Sequence, residues 1–355
     1  MKNIIKSVIV MLSSISLFAS ANAGELSVSG TAKATYNIQS GKTNADKGLG
    51  VTNELNFTAS GETDAGYTWS YSMELDPGEN STSPQSNANN DDTQLTLSTP
   101  YGTVGVFISE GGLDVEDAAS QSVYGRPTDI GDPSGTTDNL TIDSYNNVQY
   151  HTPADLLPFG TTFKIAYAPD TADTSAGSSG NNAGAVNTIS TTNSGSAATE
   201  MQIKVAPIDG LSIGASYFEF DGSGLTKSTQ EAESGAYYAT YANGPVSVGY
   251  SKALYAPFVK DQTSALNATA ADYYDQTNYS IAFAATDALS VSYEVETSEK
   301  KLGNKTSVEQ ESSAVQVAYN MGGMTLAVSH ASHDNNAYVT GDNTDQTLFA
   351  VSMAF

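Results

Sequence analysis

The feature that most constrains the fold of this chain is a strict alternation of two kinds of side chain. In residues 26–39, its clearest instance, apolar and small residues occupy every even position and polar residues every odd position. A period of two places the two sets on opposite sides of a β-strand, whereas it cannot form a one-sided surface on a helix. The alternation therefore predicts a strand with one apolar and one polar face.

The same alternation returns along the chain and predicts sixteen strands joined by eight long loops and seven short turns, long and short in turn. A barrel threaded through a membrane from one side places its short turns at one rim and its long loops at the other. A Greek-key sandwich would not sort its connections in this way, and a solenoid would show one fixed repeat length. An even strand number also lets the last strand pair with the first and removes the open edges.

Charge and aromatic placement support a membrane barrel over a soluble all-β fold. A basic side chain that faces lipid at mid-membrane costs about 2–4 kcal/mol. On the apolar faces of the predicted strands only Glu219 and Lys252 are charged, and both lie at long-loop ends. Aromatic residues collect near the two strand ends, at the turn rim (Tyr67, Tyr101, Tyr241, Phe283, Tyr319, Phe355) and at the loop rim (Tyr36, Tyr167, Tyr217). The predicted fold is an all-β, 16-stranded antiparallel up-and-down transmembrane β-barrel.

The N-terminus and the composition bound the location and the partners. Residues 1–23 have the basic start, the apolar centre and the Ala21-Asn22-Ala23 end of a cleaved export signal, which leaves 24–355 as the barrel. The chain has no cysteine, so an exported product cannot depend on disulfides. A net charge of −25 argues against nucleic acid as a partner.

One segment interrupts the strands. Glu110–Asp143, hereafter the acidic segment, is the longest stretch without alternation, and it holds eight acidic residues against a single base, Arg126. It is the third of the eight long loops. Its acids are candidates for a solute-facing surface, and the alternative is an ordinary solvated outer loop.

The export signal, the strand count and the two chain ends together resemble the Gram-negative general porins. In that family the final strand ends in Phe after alternating apolar residues, as Phe349, Val351, Met353 and Phe355 do here. The opening 24–30, Gly-Glu-Leu-Ser-Val-Ser-Gly, is similar to the family's first strand. The resemblance covers the whole mature chain.

The resemblance implies an outer-membrane porin, a water-filled channel for passive diffusion of ions and small hydrophilic solutes. It implies short periplasmic turns, long extracellular loops and a third loop that folds into the lumen, so the acidic segment would narrow the pore. It also implies a homotrimer, surrounding outer-membrane lipid and lipopolysaccharide, and recognition of the strand that ends at Phe355 by the outer-membrane assembly machinery. No cofactor is expected.

The expected site has two sides. The constriction would comprise Glu110, Asp114, Glu116, Asp117 and Arg126, and the polar wall would comprise Lys33, Glu54, Glu74, Asp76, Lys164, Lys204, Glu294 and Glu296. Well-studied family members set a cluster of arginines opposite the third loop, and this chain departs from that pattern because its wall offers only three lysines. Rings of carboxylates favour cations, so we expect a cation-preferring pore. Arg126 could either clamp the loop or face solutes.

Other functions remain open at this stage. A substrate-specific channel for a sugar or another small nutrient would need an aromatic track, for which Phe107, Phe218 and Tyr238 are candidates. A hydrolase would need a Ser/His/Asp arrangement, and His330 with His333 lies at the loop rim beside Asp334. Outer-loop acids such as those of 89–92 could bind Ca²⁺, although no spacing typical of a calcium loop is present. A purely structural or adhesive barrel would conduct nothing.

Overall fold

A computed structural model describes residues 26–41, 46–77, 88–130, 139–169, 171, 197–220, 232–257, 271–303 and 306–355. The predicted export signal at 1–23 lies outside them. Sixteen strands run in sequence: β1 Leu26–Gly41, β2 Asp46–Glu62, β3 Thr68–Pro77, β4 Ala88–Thr99, β5 Gly102–Ile108, β6 Asn147–His151, β7 Thr162–Ala168, β8 Ala198–Ile208, β9 Leu211–Phe220, β10 Glu233–Asn243, β11 Val246–Ala256, β12 Ala271–Ala284, β13 Leu289–Leu302, β14 Ser307–Asn320, β15 Met324–Asp334 and β16 Thr344–Ala354.

Each strand pairs antiparallel with its sequence neighbours, and β1 pairs with β16 to close the barrel. At the seam Tyr36 lies opposite Phe349, and Gly30 and Phe355 exchange two backbone hydrogen bonds of 2.8 and 3.0 Å. The predicted sixteen-stranded antiparallel barrel is therefore confirmed. Among the described residues, no helix is long and apolar enough to cross a membrane.

The two faces of each strand follow the alternation read from the sequence. On β13, for example, Tyr293 is 48% exposed on the outer face while its neighbours Ser292 and Glu294 are buried on the inner face. The short helical turns are 3₁₀ turns at Glu116–Ala119, Pro127–Asp129, Ile142–Ser144, Pro158–Gly160 and Asn336–Tyr338. The first three lie in or at the end of the acidic segment.

Two of the predicted long loops are mostly strand. Ser40–Gly50 and Ser298–Glu309 were expected to be loops, but only 42–45 separate β1 from β2 and only 303–306 separate β13 from β14. Backbone ladders do not require apolar side chains, so the strands continue where the sequence is polar. These two extensions add outward charges at the long-loop ends beyond the predicted Glu219 and Lys252: Lys47, Glu299, Lys301 and Glu309.

The connections at the opposite rim are not uniformly short. Two residues join β4 to β5, whereas ten residues join β6 to β7. The predicted order of long and short connections thus holds as a trend and not as a strict rule of length.

Candidate functional site

The acidic segment leaves the ladder after β5 and lies against the inner wall. Its entry and exit meet at Glu200 of β8, whose Oε2 accepts hydrogen bonds from the backbone N–H groups of Leu113 (3.2 Å) and Ile142 (2.8 Å). The Gln202 side chain donates to the Leu113 carbonyl at 2.7 Å. Glu200 is 1% exposed. Its buried carboxylate lies beneath the two ends of the segment and joins them through these hydrogen bonds.

Beyond this neck, an apolar contact seats the segment on β10 and β11. Val115 and Ala119 are fully buried and pack against Ala236, Tyr238 and Ala253 of the wall. The Ser280 hydroxyl donates to the Ala119 carbonyl at 2.6 Å. A Cβ atom at Gly249 would overlap that same carbonyl oxygen, so glycine is required for this close approach.

Two glutamates of β13 hold the next part of the segment. Glu294 Oε2 accepts hydrogen bonds from the hydroxyls of Ser120 (2.6 Å) and Ser122 (2.7 Å). Glu296 Oε2 accepts from the backbone N–H (3.0 Å) and the hydroxyl (2.6 Å) of Thr128. Carboxylates that accept several hydrogen bonds are strong anchors because each bond is charge-assisted.

The far part of the segment reaches β14 to β16. Gln316 accepts from the Tyr124 N–H at 3.0 Å and donates to the Gly125 carbonyl at 2.5 Å. Ile130 packs in a buried cluster with Ala314 and Ala331. The segment therefore covers the inner wall from β8 to β16, and its two ends also contact β6 and β7. Across the lumen it faces the inner side of β1 to β4.

Arg126 has the geometry of a clamp. Its guanidinium is paired with Asp117, lies 3.3 Å from Asp129 and lies 3.6 Å from Glu296 of the wall. Its side chain is only 16% exposed, whereas those of Asp117 and Asp129 are 52% and 54% exposed. Three carboxylates, two on the segment and one on the wall, thus surround this guanidinium. Asp117 and Asp129 are therefore more accessible from the lumen than Arg126 is.

The other predicted constriction acids lie at the root of the segment. Glu110 is within 3.5 Å of the Gln94 amide, and burial together with the Glu74 carboxylate raises the pKa of Glu110. Glu116 is buried and accepts a hydrogen bond from the Asn139 N–H at 3.1 Å. These two acids are oriented by contacts within the protein.

Asp114 and Asp143 form a carboxylate pair at the neck. Burial raises the pKa of Asp114, although the Thr141 hydroxyl, Arg126 and Lys204 oppose that rise. Burial and then the Asp114 charge raise the pKa of Asp143 to about 6. A Cβ on Gly112 would lie 2.7 Å from Asp143 Oδ2 and 3.1 Å from Asp114 Oδ1, so both carboxylates converge on that glycine.

The predicted wall residues lie on different parts of the inner wall. Glu294 and Glu296 lie beneath the acidic segment. Lys33 and Glu54 lie on the other side of the lumen, with Lys33 Nζ 5.8 Å from the Tyr124 ring centroid and Glu54 accepting from the Thr31 hydroxyl at 3.1 Å. Lys164, Lys204 and Glu74 lie on the inner faces of β7, β8 and β3, and the backbone of Asp76 pairs with that of Asn89.

Several functional side chains were missed by the sequence reading. Glu200 is the main one, because it follows directly after the predicted loop Asp170–Thr199. Its one sequence signal was the alternation, which places it on the same inward face of the strand as Lys204. Ser120, Ser122, Thr128 and Gln316 carried no local signal. Their partners lie up to 192 residues away in the chain.

The residues considered for other functions lie elsewhere. Phe107, Phe218 and Tyr238 are all buried, at 5% exposure or less, and so are not open to a solute. His330 lies on the outer face near Thr347, whereas His333 is buried inside, with one ring nitrogen 2.9 Å from the Ser312 hydroxyl and the other donating to the Ile130 carbonyl. Its two hydrogen-bond partners in the described part of the chain are thus a hydroxyl and a carbonyl, and neither is a carboxylate. Within the described ranges no group of three or more acidic or histidine side chains is arranged to hold a metal ion.

Comparisons with known proteins agree with this fold. The sequence profile described as Gram-negative porin matches residues 8–338. Among solved structures, the anion-selective porin from Comamonas acidovorans superposes with a TM-score of 0.67 at 11% identity, over 94% of this chain and 100% of that one. Salmonella typhi OmpF, in complex with daunomycin, gives 0.66 at 13% identity, over 94% and 98%. OmpT of Vibrio cholerae gives 0.63 at 11% identity, over 94% and 98%. No curated protein sequence matches the chain.

Proposed function

The chain belongs to the Gram-negative porin family, and on that premise we propose that it forms a water-filled outer-membrane channel for passive diffusion of ions and small hydrophilic solutes, with a preference for cations. Sixteen strands leave room for an aqueous lumen, in contrast to small barrels that side chains fill. The proposed activity is diffusion and involves no catalysis.

The observation that supports this proposal most is the position of the acidic segment inside the barrel. Its hydrogen bonds to Glu200, Glu294 and Gln316 hold it across the inner wall from β8 to β14, and a hydrogen bond to His333 extends this to β15. A solute must therefore pass between the segment and the inner faces of β1 to β4.

The charges on the two sides of this passage support the cation preference. Asp117 and Asp129 are more than half exposed on the segment, whereas Arg126 is held between them and Glu296. On the opposite wall Lys33 is accompanied by Glu54 and Glu74. Carboxylates that line a pore favour cations.

Fold likeness alone does not decide selectivity. A porin with the same barrel, that of Comamonas acidovorans, is described as anion-selective. We infer that selectivity here is set by the constriction residues Glu110, Asp114, Glu116, Asp117 and Arg126 and by the wall residues Lys33, Glu54, Glu74, Asp76, Lys164, Lys204, Glu294 and Glu296. The substrate-specific alternative has no observation in its favour among the described residues, because the three aromatic candidates are buried.

The remaining expectations belong to the same proposal. Export would use the cleaved signal at 1–23, and assembly would use the strand that ends at Phe355, whose side chain is exposed on the closing seam. A homotrimer surrounded by outer-membrane lipid and lipopolysaccharide is the assembly that we expect.

The test is the reversal potential of the purified protein in a planar bilayer under a KCl gradient. We expect discrete conductance steps and a reversal potential of the sign given by K⁺ permeation. A potential of the opposite sign would refute the cation preference, and a barrel that inserts without conducting would refute the channel.

A further inference from the structure

The connection from β6 to β7 is a feature of the turn rim that pore function does not explain. It comprises residues 152–161, hereafter the apolar turn, whereas two residues are enough to join neighbouring antiparallel strands. It exposes three large apolar side chains, Leu156 at 61%, Leu157 at 39% and Phe159 at 65%. The other connections at this rim all lie within the described residues, and each exposes at most one such side chain.

The strands beside the apolar turn are the shortest of the barrel. β5, β6 and β7 have seven, five and seven residues, and every other strand has at least ten. A strand that spans the hydrocarbon core of a bilayer needs about 9–11 residues. Part of the lipid-facing wall at these three strands is therefore formed by residues outside the hydrogen-bonded ladder.

The apolar turn lies beside the end of β8, in the position that a longer β7 would take. β7 begins at Thr162, which pairs with Lys204, whereas β8 continues for four more residues to Ile208. The Pro158–Gly160 part of the turn lies against β8. This part of the turn therefore runs along the wall and does not extend away from the barrel.

A bulge keeps the end of β8 apolar on its outer face. Val205 lies opposite Ile213, and Ile208 lies opposite Leu211, so β8 has one residue more than β9 between these pairs. The extra residue moves Ile208 onto the outer face, which strict alternation would have denied it. Ile208 and Ile213 are 61% and 39% exposed there. The lipid-facing belt thus continues on β8 and β9 beside the apolar turn.

The backbone of Phe159 supports a role for its side chain. Phe159 has φ 60° and ψ 29°, in the left-handed region, and Gly160 follows with φ 59°. A bulky residue rarely adopts this conformation, which costs free energy and persists where the surroundings compensate for it. Contact of the exposed ring with lipid would supply that compensation, whereas contact with water would not.

The charges near the apolar turn do not form a site for an anionic partner. Asp155 in the turn and Asp209 in the next connection are exposed, and none of the connections at this rim contains a lysine or arginine. The bases nearby are His151, Lys164 and Lys204, which lie on the inner faces of β6, β7 and β8. Apolar side chains that are continuous with a lipid-facing belt and lack basic neighbours fit hydrocarbon.

We propose that the apolar turn is inserted into the lipid leaflet at the turn rim, where Leu156, Leu157 and Phe159 contact acyl chains. It completes the lipid-facing wall at the short strands β6 and β7. The inference rests on the membrane-spanning barrel of the proposed function and is independent of ion preference.

Tryptophan fluorescence in lipid vesicles tests this placement. Trp69 is the single tryptophan of the chain, so Trp69→Phe gives a background into which one indole can be introduced at a time. Phe159→Trp and Leu156→Trp report on the apolar turn, and either reporter suffices if the other does not fold. Ala65→Trp, in the connection 63–67 of the same rim, is the matched control. Ile213→Trp is the reference for lipid contact on a strand.

Each variant of the full chain is folded into phosphatidylcholine vesicles and into matched vesicles whose acyl chains carry bromine near the glycerol backbone. Bromine quenches an indole that it contacts, and aqueous iodide quenches an indole in water. We expect bromine to remove about the same fraction of the emission from Phe159→Trp and Leu156→Trp as from Ile213→Trp. Iodide should quench Ala65→Trp more strongly than these three.

A second measurement separates the side chain of Phe159 from its backbone strain. Asparagine tolerates the left-handed region, so Phe159→Asn relieves the strain while it removes the ring. We expect the urea midpoint of unfolding in the same vesicles to fall, because the lipid contact is lost. Ala65→Asn should leave the midpoint unchanged. A midpoint of Phe159→Asn that stays or rises would contradict a stabilising contact with lipid.

Two quenching patterns would overturn the proposal. If iodide and not bromine quenched the two turn reporters, the turn would lie in water. If neither quencher reached them, a second copy of the chain or another protein would cover the turn. Loss of bromine quenching at Ile213→Trp would instead show that the barrel does not span the bilayer. Planar-bilayer conductance of the same variants reports on the pore, so failure of the lipid contact and failure of the proposed function are distinguished.

Discussion

The inner wall of this barrel has two halves with different surroundings. From β8 to β16 it is covered by the acidic segment, and its residues there are small or act as acceptors, such as Gly249, Ala253 and Glu294. From β1 to β4 it is largely open to the lumen and carries Lys33, Glu54 and Glu74, whereas β6 and β7 contact the two ends of the segment. The comparison teaches that a carboxylate on the polar face of a barrel strand has two possible roles, to hold the segment or to meet the solute.

The largest expected effect comes from removing most of the acidic segment. Replacing 114–139 by a short Gly-Ser linker leaves both halves open, so we expect single-channel conductance to rise at least about two-fold and ion selectivity to weaken, because pore width and lining charge both change. The measurement is planar-bilayer recording. An intact barrel is established by the resistance of the variant to unfolding in detergent at room temperature, and unchanged conductance in such a barrel would contradict the placement of the segment.

A smaller effect should distinguish the carboxylates that hold the segment from those that face the solute. Glu294→Ala removes the acceptor of Ser120 and Ser122 and leaves the Asn278 amide, a 2.5 Å donor, without this partner. Loss of a buried hydrogen-bond partner costs about 1–3 kcal/mol. We expect faster protease cleavage within the segment and noisier open-channel current.

The matched control is Glu54→Ala on the open half, which loses one exposed hydrogen bond from Thr31. Its cleavage rate should stay at the wild-type value, while its reversal potential shifts towards weaker cation preference. If both variants behaved alike in the two assays, the division into holding and solute-facing carboxylates would fail.

A third effect concerns pH at the neck. The pKa of Asp143 is raised from 3.8 to about 6 by burial and by Asp114, so the folded neck binds a proton more tightly than the unfolded segment does. This contribution to stability is present in full below about pH 4 and is lost as pH rises through about 6. Backbone hydrogen exchange of 139–146 should therefore be slower at pH 5 than at pH 7.5, after correction for intrinsic rates. Asp143→Asn should reduce the difference, and the part that remains belongs to Asp114, whose pKa is also raised by burial. A difference of undiminished size in this variant would exclude Asp143 as its source.

The smallest effect is expected at Lys33, near the tip of the segment. Lys33→Met removes one positive charge 5.8 Å from the Tyr124 ring centroid and leaves the segment's hydrogen bonds in place. The reversal potential should shift modestly towards stronger cation preference, because exposed charges in a wet lumen are screened. A shift in the anion direction would show that Lys33 does not face the permeation path.

Sequence periodicity was sufficient for the barrel and insufficient for the loop ends. Alternation such as that of 26–39 reports which side chains face lipid, and it stops where lipid stops, although the hydrogen-bonded ladder continues. That is why Ser40–Gly50 was predicted as a loop while β2 begins at Asp46. Strand number and closure depended only on the membrane part and were predicted correctly.

The site was predictable only in outline. The acidic segment was identified from its composition, and its place in the lumen came from a family resemblance. The contacts that hold it there were not accessible, because Ser120 and Glu294 are 174 residues apart in the chain. A polar-face glutamate looks the same in sequence whether it accepts hydrogen bonds from a loop or faces water.

Gly249 has a consequence for the aperture of the channel. It lies behind the segment, where no solute reaches it, and the missing side chain lets the Ala119 carbonyl sit directly on the strand. Any larger residue there would push the segment away from the strand and towards the opposite inner wall, which would reduce the cross-section of the lumen. The width of the channel thus depends on the barrel wall behind the segment, at a position that contributes neither charge nor contact to the permeating ion.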